Sequence, residues 1–588
     1  RTKLTERCLY KVVLVKHARE PPLVNPAASQ AAASSLSLLV CPMKQEAQET
    51  PGAATAGTST PALALPDAEK QQPEEQAPAA GLTLHGARLW LILAVLCLSI
   101  YLLALELTML STVVPTLTDE FGTVADISWY EAAYVLPLCV LMPVVAKLYD
   151  QFRIKHVYLA CMLFFELGLV ICAVAKSSRV FILGRALNGL GASGQFNGCI
   201  IVLSSVCDAS IRPLATSLVM SMLPIGSMTG PIIAGVVTAR IGWRFWILVP
   251  MGAGVIIIFA IVKIAEQSEK PAFREGLQRL PRTLDPVGFL LFAGGVTMFL
   301  LALTWGGNKT SWLSATIIGL LCGALVTIFV FCAWTWRQGD KALMPTSSLT
   351  QRSVYVSCIV IFLQGGASQA TPFFLPLWFQ AIKGDNPSQS AIHLLPSLAT
   401  SVVAMVCYGA LVSKLRYIPP WAIAGSLVAG VGSGLCTTLA PNTSVGKWVG
   451  FQIITSIGRG VALQAPITAV QEYVPIQHHA VSISILSLFL QLGIAVSVSS
   501  CQTIFNNRLP ALLQRYAPGV DIPMIVEAGA TKARHFVEPA QLPGFLYAYN
   551  KAVTSVFFFP MAACVVACLA SCALEWKPVK AQDKSKDT

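Results

Sequence analysis

The chemistry open to this chain rests on a few ionisable side chains set inside long apolar stretches. Glu106 lies in YLLALELTMLSTVVP, Glu166 in FFELGLVI, Arg185 in GRALNGLGASGQFNG, and Arg459 in SIGRGVALQAP. A carboxylate at the middle of a bilayer costs at least ~2.5 kcal/mol on insertion scales. It therefore needs a proton, a basic partner, or both. Groups that take up and release protons at that depth are what a gradient-driven carrier requires. Each could instead be a structural polar residue facing water or a neighbouring helix. Glu131 starts its run, where an acidic residue suits the helix dipole. The amides of Gln195, Asn197, Gln364 and Gln491 offer hydrogen bonds of the kind that line a substrate cavity. Phe373, Phe374, Trp378 and Phe379 offer aromatic surface, or an interfacial belt. The sequence shows no nucleophile, base and orienter arrangement, so no catalytic residue is expected and the chain does not read as an enzyme. No metal is expected either. The seventeen cysteines contain no CxxC, and Cys564, Cys568 and Cys572 stack on one helix face as small buried hydrophobes would.

Elements that hold such residues must be solvated by lipid. The chain has 588 residues, of which 55% are hydrophobic and only 12% charged. A soluble exterior needs about a quarter of the chain charged. The net charge of +12 is scattered between apolar runs and forms no nucleic-acid patch. Fourteen runs near twenty residues long recur, at 88–114, 126–147, 156–175, 180–206, 215–238, 244–265, 286–305, 313–334, 354–380, 390–413, 419–440, 447–470, 480–505 and 551–574. Each can cross ~30 Å of hydrocarbon as a helix. The expected fold is an all-α polytopic membrane protein with fourteen spans.

Residues 1–87 read as a disordered cytoplasmic tail. The chain opens on Arg1 and Met43 begins an acidic, Pro-rich stretch, which leaves a gene-model artefact at 1–42 an open reading. An even span count places both termini on one side. Short loops on that side carry fourteen basic residues against seven in the opposite short loops, so the termini and the 575–588 tail are assigned to the cytoplasm. The longer loop 506–550 falls outside. The two sequons, at Asn308 and Asn442, both fall in loops that parity places outside, where they would be glycosylated. An ATP-driven pump needs a GxxxxGK[ST] loop, which is absent, and no re-entrant filter of a channel is visible.

Four stretches then resemble motifs of the major facilitator superfamily. GSMTGPIIAG, with Gly226, Gly230, Pro231 and Gly235, is similar to its antiporter motif. GRALNGLGAS is similar to the span-four motif whose Arg is implicated in proton coupling. AKLYDQFRIK keeps Asp150 and Lys155 of the signature cytoplasmic loop but has Ala146 and Arg153 in place of its glycines. LELTMLSTVVPTL resembles the first-span motif of fourteen-span drug:proton antiporters, with Glu106 replacing the usual Asp. The likeness runs from about Leu89 to Trp576, with fungal toxin and multidrug efflux members nearest.

It implies a six-helix half at 88–265, a charged linker with two extra helices at 266–353, and a second six-helix half at 354–574. It also implies proton-driven export of a small organic compound by alternating access, with Glu106, Arg185 and Glu166 in proton coupling. No cofactor is needed beyond the proton gradient. The expected partners are the substrate, protons and the lipid bilayer, with no nucleic acid, and the chain would be a monomer of the plasma membrane. Two rivals stand beside this reading. One is a vacuolar or internal-membrane carrier for basic amino acids or iron chelates, and the other is a non-transporting membrane sensor.

Overall fold

Apolar side chains in lipid leave the backbone no water to bond, so each run must satisfy its own N–H and C=O groups as a helix. The computed structural model describes residues 86–123, 126–247, 250, 252–257, 284–307, 310–415, 417–525 and 534–578, all within the unit Gln76–Thr588. The tail before residue 86, the charged linker 266–283, the Asn308 sequon and residues 579–588 lie outside the described residues.

Among the described residues fifteen longer helices carry the fold: α1 (Ala87–Phe121), α2 (Ile127–Gln151), α3 (Ile154–Val174), α4 (Ser178–Val206), α5 (Arg212–Met220), α6 (Met222–Ile241), α7 (Pro286–Trp305), α8 (Ala315–Gln338), α9 (Arg352–Trp378), α10 (Leu395–Leu415), α11 (Pro419–Cys436), α12 (Val445–Tyr473), α13 (His479–Tyr516), α14 (Leu542–Val556) and α15 (Phe558–Ser571). Short helical turns fill several connections. Among the described residues the sole β pairing is a bridge between Gly306 and Thr310.

Each expected run is largely helical where it is described, and among the described residues eleven stretches, against the fourteen expected, are long and apolar enough to cross a membrane. Helices α4 and α11 fall outside those eleven because Gly, Ser, Asn, Gln and Arg dilute the first and Pro, Gly and Ser the second. Both are nonetheless packed hard against a neighbour, α3/α4 and α11/α12 being the two most extensive helix pairs. Pro224 has no N–H for the Met220 carbonyl, and the fifth run breaks there at Ser221 into α5 and α6. Helix α13 continues to Tyr516 and α14 begins at Leu542, so both ends of the expected outer loop 506–550 are helical rather than open polar chain. Buried Leu509, Leu513, Phe545 and Tyr549 explain this, since they close an apolar core with Trp378 and Trp448.

The packing pattern occurs twice. Helix α1 pairs with α6, α2 with α4 and α3 with α4; likewise α9 pairs with α13, α10 with α12 and α11 with α12. This is the internal repeat that GALVSKLRY only hints at in sequence. Helices α7 and α8 pack on each other, and α7 reaches both α2 and α13. The two repeats meet through α2 against α13 and α5 against α10. Exposed Leu325, Phe329 and Trp336 on α8 present an apolar face suited to lipid.

Candidate functional site

Glycines let the site close. At Gly189 an added Cβ would lie 2.2 Å from the Tyr134 carbonyl oxygen, so only glycine allows α4 to meet α2 there. One turn earlier on α4, that approach delivers Arg185 to the α1–α2 seam. Arg185 Nη1 donates to Glu106 Oε1 at 2.5 Å, and its Nε donates to the Tyr130 carbonyl at 3.1 Å. Its guanidinium carbon lies 4.6 Å from the centre of the Tyr134 ring. Arg185 is wholly buried and Glu106 is 1% exposed. A dry ion pair of this kind contributes little net stability, yet removing one partner costs about 3–5 kcal/mol because the other charge is stranded. Glu106 Oε2, Arg185 Nη2, the Tyr134 hydroxyl and both amide atoms of Asn188 have no hydrogen-bond partner among the described residues.

The remaining candidates separate into distinct places. Glu166 is buried on α3, without a hydrogen-bond partner among the described residues, and an added Cβ at Gly254 would collide with its Oε1. It influences Glu106 electrostatically but has no direct bond to it. Gln195 accepts from Ser99 at 3.5 Å, and Ser99 accepts in turn from Tyr158 at 2.6 Å. Asn197 donates to Ser484 of α13 at 3.4 Å, tying the two repeats together. Gln364 is buried against Ser426 at 2.8 Å, which places it between α9 and α11. Gln491 is half-buried on α13. Gly226 and Gly230 press on Tyr101, Ala104, Leu105 and Thr108 of α1, whereas Gly235 has room for a methyl, with Thr112 at 3.7 Å. Pro231 sits inside α6. Asn442 is exposed in the loop between α11 and α12.

Some partners carried no signal in the sequence. Gln471 of α12 accepts from Thr216 at 3.2 Å and donates to Ser204 at 3.2 Å, while its carbonyl accepts from Arg212 at 3.4 Å. Arg212 also pairs with Glu472 at 3.8 Å. At Gly409 of α10 an added Cβ would lie 2.8 Å from the Pro213 carbonyl oxygen. These contacts join the repeats at the end that carries loops 207–211 and 474–478. A cavity of about 450 Å³ opens beside them, lined by Tyr149, Asp150, Ser204 and His479. Lys147, in the expected cytoplasmic loop motif, is mostly buried and interacts electrostatically with Asp150, Asp285 and Asp340. The extra helix pair therefore supplies charges that the motif does not contain; Lys155 is half-buried near the start of α3. Arg459, on the helix α12 that answers α4 but two turns further along it than Arg185 is on α4, donates to the Ser368 carbonyl at 3.0 Å and to Ser397 at 3.4 Å. No carboxylate pairs with it among the described residues.

Residues 96–498 match the Major Facilitator Superfamily as a family. The chain belongs to it. Within the superfamily it is of the fungal efflux type. It is 38% identical over 500 residues to MFS-type transporter pigP of Monascus ruber, covering 85% of this chain and 88% of that one. It is 32% identical over 513 residues to efflux pump mlcE of Penicillium citrinum, covering 85% and 92%. The solved proton:xylose symporter XylE superposes with a TM-score of 0.52 at 14% identity, covering 82% of this chain and 94% of that one, which shows the shared fold. This major facilitator is thus a multi-pass membrane protein and a secondary transporter of small molecules, with relatives named as transporters and efflux pumps rather than as enzymes.

Proposed function

We propose that the protein exports a small organic compound, a toxin, secondary metabolite or drug, in exchange for protons. The observation that carries this is the buried Glu106–Arg185 pair at the α1–α2–α4 junction. A proton on Glu106 competes directly with the guanidinium for the same carboxylate, so protonation loosens three helices at once. Contacts between the repeats concentrate at the Gln471 end, while Glu131 at the opposite end of α2 is exposed. That asymmetry suits a carrier closed towards the cytoplasm and open outward, one of the two states of alternating access. Protons arriving from outside would then favour the transition that re-exposes the cavity to the cytosol. In this reading the chain spans the plasma membrane fourteen times as a monomer with both termini cytoplasmic, and uses the proton gradient with no cofactor.

Asn197 at the α4–α13 seam, Gln195 against α1 and half-buried Gln491 on α13 would face a polar substrate group, with Gln364 set between α9 and α11. Glu166 is a second site for a proton. Being named efflux pumps, the relatives favour export over loading of an internal store. The test is transport by proteoliposomes under an imposed pH gradient, with a panel of dyes and fungal metabolites as cargo. Export should follow the gradient and collapse with a protonophore, and Glu106→Gln should abolish the coupling. Full gradient-driven transport by that variant would overturn the assignment.

A further inference from the structure

Arg185 is flanked by two carboxylates. Glu131 stands one residue after Tyr130, whose carbonyl takes the Arg185 Nε–H, and three residues before Tyr134, whose ring lies under the guanidinium. Residues three apart share a helix face, so Glu131 rises on the side of α2 that Arg185 occupies. It lies within charge–charge range of Arg185. Unlike Glu106 it is exposed to solvent, although protein atoms crowd around it. The Arg185 Nη2 edge has no hydrogen-bond partner among the described residues. The other ionisable groups facing this point are Glu106 of α1, Tyr134 of α2, and Cys172 and Glu166 of α3. Helix α7 contains no ionisable residue, and α13 has only the Cys501 thiol between His479 and Arg508.

A proton on Glu106 would leave Arg185 as an unpaired buried charge, which is strongly unfavourable. The proton could then hardly bind unless another anion took over. We propose that Glu131 is the alternate counter-ion of Arg185: when Glu106 is protonated, the guanidinium turns its free Nη2 edge onto the Glu131 carboxylate, and it returns when Glu106 ionises. One proton passes from outer water to a Glu106 oxygen and one O–H bond forms. The set of Glu106, Arg185 and Glu131 goes from a net charge of −1 to zero. Before the exchange Glu131 is compensated by water, and afterwards by Arg185. This rests on the reading of Glu106 as the coupling site.

The experiment needs no substrate. Proton uptake by the purified full chain is followed with a pH-indicator dye as pH is stepped from 8 to 5, alongside thermal unfolding. Glu106→Gln should lose one proton per chain. Glu131→Gln and Glu131→Ala should keep that proton but bind it about tenfold more weakly, so the uptake midpoint moves about one unit to lower pH. Glu131→Asp, which retains the charge, should titrate near the wild type, a rescue that a purely structural role would not give. Unshifted uptake in both neutral Glu131 variants, with Glu106→Gln still losing its proton, overturns the exchange and leaves the coupling reading intact. An unchanged proton count in Glu106→Gln overturns the coupling reading itself.

Discussion

Gln471→Met should open the end of the carrier that carries loops 207–211 and 474–478. The substitution keeps side-chain length and volume while removing the acceptor for Thr216 and the donor to Ser204, both at 3.2 Å. All three residues are at least 96% buried, so water does not readily replace the lost bonds. Each neutral hydrogen bond contributes about 0.5–1.5 kcal/mol. The Thr216 hydroxyl loses this side-chain partner, whereas Ser204 still donates to the Ile200 carbonyl at 2.9 Å. Two bonds at about 1 kcal/mol each bias the equilibrium by roughly 2 kcal/mol, or about thirtyfold towards the state with that end apart. The Arg212–Glu472 pair and the Arg212 bond to the Gln471 carbonyl remain, so the end should loosen without losing its structure. Hydrogen–deuterium exchange reads this directly. Amides in 207–211 and 474–478 should exchange about thirtyfold faster, while the α3/α4 seam stays protected. Unchanged exchange in both loops, in a protein that still folds, would show that these bonds do not hold the repeats together.

Arg185→Lys keeps a positive charge near Glu106 but loses the Nε bond to the Tyr130 carbonyl and the planar stack on Tyr134. Transport in proteoliposomes should fall at least tenfold with the protein still folded, and a fully active variant would mean that charge alone suffices. Gly189→Ala forces a methyl into the α2 backbone and should cost about 1–3 kcal/mol, seen as a lower unfolding midpoint in detergent, whereas Gly235→Ala should be neutral. At the C-terminal end of α1, hydrogen bonds from Arg244, and also from Trp243, hold the Glu120 carboxyl below its usual range. A lowered folded value means that its stabilisation is present above the ordinary carboxylate range and is lost as pH falls through the folded value. Glu120→Gln should therefore flatten the acid limb of thermal stability slightly below about pH 4.5, by well under 1 kcal/mol because the pair is exposed.

How much of this was legible beforehand depended on whether it was local. The helices followed from apolar run length, because lipid leaves the backbone no alternative. The outer ends of α13 and α14 escaped notice because their apolar positions are spaced for a protein core rather than for lipid. Glu106 and Arg185 stood out singly because a charge among leucines or glycines is costly wherever it goes. Their partnership was not local: 79 residues separate them, and only the close approach that Gly189 permits makes them meet. Gln471, Ser204 and Thr216 were invisible for the opposite reason. Each is an ordinary residue in its own helix and acquires a role only from a partner on another, for Gln471 more than 250 residues away.

The two repeats share a packing plan but not a chemistry. Arg185 and Arg459 occupy answering helices, yet only the first has a carboxylate on it; Arg459 binds a carbonyl and a hydroxyl, neither of which titrates in the working range. Of these two arginines, only Arg185 is therefore held in a charge pair that a proton can break. For that event to open or close the carrier, it must be passed on by whatever ties α4 to the second repeat. Asn197 to Ser484 and Ser204 to Gln471 are such ties, and both lie on the same helix as Arg185, about three and five turns further along. Helix α4 is thus a single rigid element that carries the charge pair near one end and the contacts between repeats towards the other. A shift of α4 on release of Arg185 would strain those contacts together. Proton binding and opening at the Gln471 end should then be coupled, and Gln471→Met should make Glu106 easier to protonate as well as loosening the loops.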